Sequence, residues 1–266
     1  MEDLAVKVIV ATHLEYKMPK DNMYIPLHVG SELSKEDFGY QKDNTGENIS
    51  KLNPGFCELT GLYWAWKNLD AGYIGMVHYR RQFSLKNKKG IENALSYEEL
   101  KPYLGKVKVF VPKKRKYYIE TLYSHYAHTH YIEQLDEAKK ITEEKYPEYL
   151  ESFNRVVNKR SGYMFNMMIM QKDLLNEYCK WVFDILFELD KRIDIPELSA
   201  FESRFYGRIS EIIFNAWLDK KITEGTLSKE EVMEIPYIHT EKVNWWKKGK
   251  AFLAAKFFGK KYEASF

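Results

Sequence analysis

Cysteine is scarce: Cys57 and Cys179 are the only two in 266 residues. Both fall inside apolar helical patterns, and neither has a partner at the spacing of a zinc site. No disulfide framework and no thiolate metal site is expected, and a reducing compartment suits the chain. An excess of one charge is missing too. The 41 Lys and Arg against 38 Asp and Glu leave a net charge of +3, too little for a nucleic-acid footprint, so no nucleic-acid partner is expected. No apolar run reaches the roughly 20 residues that span a bilayer. The N-terminal "LAVKVIVAT" is short, broken by Lys7 and preceded by acids, and is expected to be a first core strand, not a leader. Repeats and low-complexity segments are also absent.

Aromatic residues are plentiful, at 15% with 20 Tyr, within an otherwise ordinary balance of 45% hydrophobic and 30% charged residues. Such rings fill cores, and their apolar faces and polar tips also suit sugar or base pockets. Apolar runs predict strands at residues 4–12, 23–30, 73–77, 107–111 and 162–171, and a last one through "VMEIPYIHTEK". The polar stretch 31–50 reads as a long, site-shaping loop. Leu59, Leu62, Tyr63 and Trp66 recur at the spacing of one helical face. Leu175, Tyr178, Cys179, Val182, Ile185, Leu186 and Leu189 form a stripe over four turns. A further helix is predicted through "RISEIIFNAWLDK", with Ser210 as its N-cap. Helices alternating with strands predict an α/β fold with a largely parallel sheet. One domain is expected over residues 1–242, with a tail of different composition at 243–266.

In such sheets ligands sit beyond the carboxyl ends of the strands. The polar residues there are Thr12 and His13, the run His78, Tyr79, Arg80, Arg81, and Tyr237 to His239. Strand alternation sends His78 and Arg80 to one face and Tyr79 and Arg81 to the other. A guanidinium there fits phosphate oxygens, or else pairs with a carboxylate at the core edge. In "SHYAHTH", His125, His128 and His130 lack the spacing of a zinc helix and a nearby acidic partner, so solvent-facing histidines are expected. Glu211 is predicted in the first turn of its helix, where the N-terminus favours an ionised carboxylate. It could serve as a general base or merely as a partner of the helix dipole.

The segments "VATHLEYKMP", "YIPLHVG", "DNTGENISKLNPGFCELTGLYWAWKN", "YIGMVHYRRQF", "SHYAHTH", "FNMMIMQKDLLNEYC" and "RISEIIFNAWL" resemble, in order, a family of bacterial capsular and exopolysaccharide biosynthesis proteins known as a domain of unknown function. The resemblance covers residues 4–242, and "CELTGLYWAWKN" with "HYRR" is its most specific part. It implies a GT-A-like, Rossmann-type glycosyltransferase, similar to a β-galactofuranosyltransferase domain of O-antigen synthesis that uses UDP-galactofuranose. On that layout Thr12, His13 and Asn53 lie at the nucleotide. His78, Tyr79 and Arg80 stand where the wider fold carries an Asp-x-Asp metal motif. No carboxylate is present there to hold Mn²⁺ or Mg²⁺, so the resemblance implies no metal and no cofactor. Arg80 or Arg81 would neutralise the diphosphate of the leaving UDP instead, and the sequence leaves open which. Asn166 falls on the acceptor side, exposed among apolar neighbours, and His239 returns to the diphosphate. Glu211 takes the place of the base of an inverting enzyme, with Glu202 and Asp43 next in line. Two other readings remain: a pyranosyl, even retaining, transferase, and a catalytically inactive sugar-nucleotide-binding subunit of a capsule assembly complex.

Residues 243–266 combine Lys with Trp and Phe. That mixture suits an anionic membrane surface, where rings sit at the headgroups and Lys stems snorkel. A lipid-linked glycan acceptor would give the contact a purpose, and the expected location is cytoplasmic, peripheral at the inner face of the membrane. A helix packed on the domain, or a frayed end, is the other reading.

Overall fold

A computed structural model describes residues 4–86, 88–193, 199 and 202–240. Strands β1 (Val6–Thr12), β2 (Tyr24–His28) and β3 (Gln41–Lys42) precede helices α1 (Asn53–Phe56) and α2 (Leu59–Asn68). Then come β4 (Tyr73–His78), β5 (Arg81–Phe83), α3 (Tyr97–Leu100), β6 (Val109–Pro112) and β7 (Arg115–Lys116). Helices α4 (Leu122–Thr129), α5 (Ile132–Lys145) and α6 (Leu150–Val157) lead to β8 (Ser161–Gly162), β9 (Met168–Gln171), α7 (Lys172–Arg192), α8 (Phe205–Thr223), β10 (Val232–Ile235) and β11 (Tyr237–His239). The described residues divide into two compact units, one within 4–113, 165–180 and 227–240 and the other within 114–164 and 181–226. The tail at 243–266 lies outside the described residues.

The first unit is built on a nine-stranded sheet whose main path runs β10-β6-β9-β4-β1-β2-β3. β9 alone on that path runs against its neighbours. This is the mixed, largely parallel α/β sheet expected from the sequence. The central strands are apolar on both faces because both are covered: every residue of β4 before His78 is buried. Gly75 permits β9 to approach β4 closely, since a Cβ there would meet Met168 O and Ile169 Cγ1 at 2.6 Å.

Several predicted elements differ. The strand expected at 162–171 is confined to Met168–Gln171, because Phe165 and Asn166 take φ of 78° and 51° and break it. The last strand is two, interrupted by Pro236: β10 continues the sheet beside β6, and β11 turns to pair antiparallel with β5. On α2 the buried face carries Leu59, Gly61, Leu62 and Ala65, while Tyr63 and Trp66 are only half-buried. Small residues let the helix approach the sheet; a Cβ on Gly61 would stand 2.9 Å from Val29 and 3.1 Å from Leu27. Tyr63 instead donates to Glu47 at 2.9 Å, and Trp66 lies under Lys67, 4.1 Å from its ring.

The second unit is mainly helical. Trp217, Phe153 and Phe183 are among its fully buried side chains. Asp219 on α8 ties down α6 and the loop after it, accepting from Arg155 Nε at 2.8 Å and Lys159 Nζ at 2.7 Å. Asn215 clamps the chain after β8, accepting from the Tyr163 N–H and donating to the Tyr163 carbonyl, both at 2.8 Å. Helix α8 begins at Phe205, not after Gly207, so Ser210 is no N-cap; its hydroxyl donates back to the Gly207 carbonyl at 2.8 Å. Among the described residues no helix is long and apolar enough to cross a membrane.

Candidate functional site

In the first unit β4 ends at His78, Tyr79 and Arg80 make a turn, and β5 begins at Arg81. His78 and Arg81 are therefore directly opposite across the hairpin, and Arg81 is in turn opposite His239 of β11. Opposite residues on neighbouring strands project to the same face. The carboxyl edge of the sheet thus carries His78, Arg81 and His239 in register across three strands. This corrects the alternation argument, which paired His78 with Arg80: a turn within the run reverses the chain, and a sequence read as continuous strand cannot register it. The Phe165 ring lies against Arg81 of this row, with the guanidinium 4.4 Å from its centroid, and the Tyr237 ring is 5.2 Å away.

Phe165 and Asn166 reach this row because both are left-handed, a conformation uncommon in residues other than glycine and often found at functional sites. The Phe165 carbonyl sits 2.5 Å from His78 Nε2. A carbonyl only accepts, so Nε2 carries the proton and Nδ1 is the atom left to titrate. Burial pushes the His78 pKa down; the Glu58 carboxylate opposes that and the Arg81 charge reinforces it. The imidazole is accordingly neutral near pH 7. Glu58, the N-cap residue of α2, accepts from Asn166 Nδ2 at 2.8 Å. Asn166, expected to be exposed, is 4% exposed.

A second group gathers round the buried Tyr79. His13 packs edge-on against its ring at 5.5 Å, Tyr16 at 5.1 Å, and the exposed Arg80 guanidinium stands 5.0 Å from its centroid. Thr240 ties this group to the end of β11, donating from Oγ1 to the Tyr79 carbonyl at 2.9 Å and accepting from Tyr16 at 3.1 Å. Thr12, at the end of β1, is buried and donates to the Leu14 carbonyl at 2.7 Å, closing the turn that presents His13. Asn53 donates to the Cys57 carbonyl at 2.7 Å and to Thr60 Oγ1 at 3.1 Å, fastening α1 to α2. Asp43 is fully buried and holds the Gly30 and Ser31 N–H groups and the hydroxyls of Ser31, Ser50 and Thr60. Those bonds make it a structural anchor of the loop after β2.

In the second unit Glu211 is half-buried and is the seventh residue of α8, so the first-turn dipole argument does not apply to it. Glu202 accepts from Tyr131 at 2.9 Å and from Ser199 Oγ at 2.6 Å. The histidines of α4 do have an acidic partner. Buried Glu120 accepts from Nδ1 of both His125 and His128, each at 2.8 Å. Burial works against its charge, but those two hydrogen bonds outweigh that and hold its carboxyl below the usual range. Burial also drives His125 down to about 4, against the pull of Glu120. Among the described residues no group of three or more His, Cys, Asp and Glu is arranged to hold a metal ion.

Sequence reasoning missed Glu58, Phe165 and Glu120. Glu58 stands inside the specific run "CELTGLYWAWKN", and Glu120 opens "ETLYSHYAH" just ahead of the histidines it holds. Nothing in the sequence marks Phe165, whose role follows from backbone conformation.

The family model described as Domain of unknown function (DUF4422) matches residues 7–222. No curated protein matches. Among solved structures, the apo structure of the WbbM bifunctional glycosyltransferase is similar, with a TM-score of 0.82 and 30% identity over 90% of this chain. The match covers 46% of that protein's chain, so this chain spans about half its length. The two share a GT-A-like α/β fold, and the match to the family model over residues 7–222 establishes that the chain belongs to the DUF4422 family.

Proposed function

We propose that the chain is a glycosyltransferase that moves a sugar from a UDP-sugar to a glycan acceptor in the synthesis of a bacterial surface polysaccharide. The donor sugar in this reading is galactofuranose, and the acceptor is lipid-linked. The observation that carries it is the in-register row of His78, Arg81 and His239 at the carboxyl edge of the sheet, together with the likeness to a glycosyltransferase structure at 30% identity. A half-buried guanidinium stacked on Phe165 is fixed in place, as stabilisation of a leaving diphosphate requires. Arg81 takes that charge in the absence of a metal, and His239 adds a hydrogen bond to it. His78 is a positioning residue, holding Phe165 through Nε2. Arg80 and His13, grouped about Tyr79, contact the nucleoside part of the donor, with Thr12 and Asn53 shaping the loops around it.

In the transfer step the acceptor hydroxyl oxygen bonds to the anomeric carbon, the bond from that carbon to the phosphate oxygen breaks, and UDP leaves with the electron pair. The hydroxyl proton passes to a carboxylate, for which Glu211 is the proposed base in an inverting reaction. Glu211→Gln is expected to keep donor binding and lose transfer; near-normal turnover in that variant refutes the assignment. Glu58 is the second reading, favoured by its hydrogen bond to the acceptor-side Asn166, and Glu58→Gln is the matching control. Activity is expected to persist in EDTA, and loss restored by Mn²⁺ would overturn the metal-free account. A screen of furanosyl and pyranosyl donors, with product stereochemistry by NMR, separates the alternatives of sugar and mechanism. Binding without turnover of any donor would favour the inactive subunit.

A further inference from the structure

Tyr118 and Ile119 are the most exposed large apolar side chains among the described residues, at 77% and 61%. They follow a run of cations, Lys114, Arg115 and Lys116, in the second unit. The turn that presents them is constrained. The Ile119 N–H donates to the Tyr117 carbonyl at 2.6 Å, with Tyr118 between them at a φ of 56°. A positive φ is a genuine outlier for a bulky residue and persists only where the surroundings impose it. Here they do: the short ladder of β7 and β8 runs up to the turn, the Tyr117 N–H donates to the Arg160 carbonyl at 2.8 Å, and Arg160 Nη1 donates to the Tyr118 carbonyl at 3.4 Å. The turn is thus a rigid support that points an aromatic and an aliphatic side chain into water.

The exposed charged residues of the two segments that form it are of one sign. Lys114, Lys116 and Arg160 are exposed. The next carboxylate along the chain, Glu120, is buried and committed to His125 and His128. Rings and aliphatic groups ringed by cations match the headgroup layer of an anionic bilayer, where apolar tips enter the acyl boundary and the cations meet lipid phosphates. We propose that the turn at Tyr118 and Ile119 is a membrane-docking tip for an anionic lipid surface. It is distinct from the basic aromatic stretch at 243–266 and does not depend on the glycosyl-transfer reading.

The test uses the full chain with Ile119→Cys carrying an environment-sensitive fluorophore; the native cysteines are 8% and 0% exposed and do not compete for label. With vesicles of phosphatidylglycerol and phosphatidylcholine the probe is expected to shift to the blue, and with phosphatidylcholine alone to stay unchanged. Lys114→Ala and Lys116→Ala should each weaken partitioning about fivefold at low salt, an effect that fades as salt rises. Tyr118→Ser with Ile119→Ser should weaken it about tenfold or more with the melting temperature unchanged. The proposal is overturned if the protein co-sediments with anionic vesicles while the probe stays in water, if the double variant binds as the parent does, or if the protein does not bind anionic vesicles at all.

Discussion

Acid should loosen the second unit through His125 before it titrates most carboxylates. Glu120, ionised and able only to accept, requires the proton of His125 on Nδ1. Protonation therefore falls on Nε2, in a side chain that is 13% exposed. Burial lowers the folded pKa from 6.5 to about 4. The unfolded chain then binds more protons through that window, so stability is fully present above pH 6.5 and is lost as pH falls from there towards 4. Linkage gives a loss of about 2 kcal/mol by pH 5 and about 3 kcal/mol by pH 4. At about 2–4 °C per kcal/mol, the melting temperature should drop by roughly 4–8 °C between pH 7.5 and pH 5 from this group alone. Glu120 adds to the slope at lower pH, since its depressed pKa gives stability that is lost as pH falls through the folded value. The assay is melting temperature against pH for the parent and for His125→Asn, whose amide still donates to Glu120 but does not titrate. The variant should show a visibly flatter profile between pH 6.5 and 5. An unchanged slope would mean that His125 is not held neutral by burial.

Two further perturbations test the packing that presents the site. Gly75→Ala forces a methyl against Met168 O and Ile169, and is expected to cost about 2–4 kcal/mol in denaturant unfolding through strain between β4 and β9; a cost under 1 kcal/mol would show that those strands part freely. Asp43→Asn sets an N–H₂ group against buried donors, where the carboxylate accepts from Gly30, Ser31, Ser50 and Thr60. About 3 kcal/mol or more should be lost, and a neutral result by chemical denaturation would remove Asp43 as the anchor of its loop.

Much of the fold was legible because hydrophobic pattern and alternation are local. β1 and β4 are apolar runs with polar ends, and the long stripe from Leu175 to Leu189 is wholly buried. The residues at the ends of the central strands were legible for the same reason. What failed depends on backbone direction. The hairpin that brings His78 opposite Arg81 needs only two residues, Tyr79 and Arg80, neither of which is a turn former. Left-handed Phe165 and Asn166 carry no glycine to announce them. The start of α8 at Phe205 was hidden by Gly207, which reads as a loop residue but is buried within the helix. Glu58 went unnoticed because its partner Asn166 is brought to it by the fold, whereas Glu120 lies only five residues before His125 and was overlooked within reach of the spacing.

In the proposed reaction Arg81, not Arg80, carries the donor diphosphate. The direct measurement is the rise in melting temperature on adding UDP-sugar, since a ligand that binds only the folded state stabilises it. Loss of a charged hydrogen-bonding group should weaken donor affinity by roughly tenfold to a hundredfold. Arg81→Ala is expected to abolish most of the rise, Arg81→Lys to restore part of it, and Arg80→Ala, which loses only a contact to the nucleoside part, to lower it much less than Arg81→Ala. A full rise in Arg81→Ala with loss in Arg80→Ala would contradict the account.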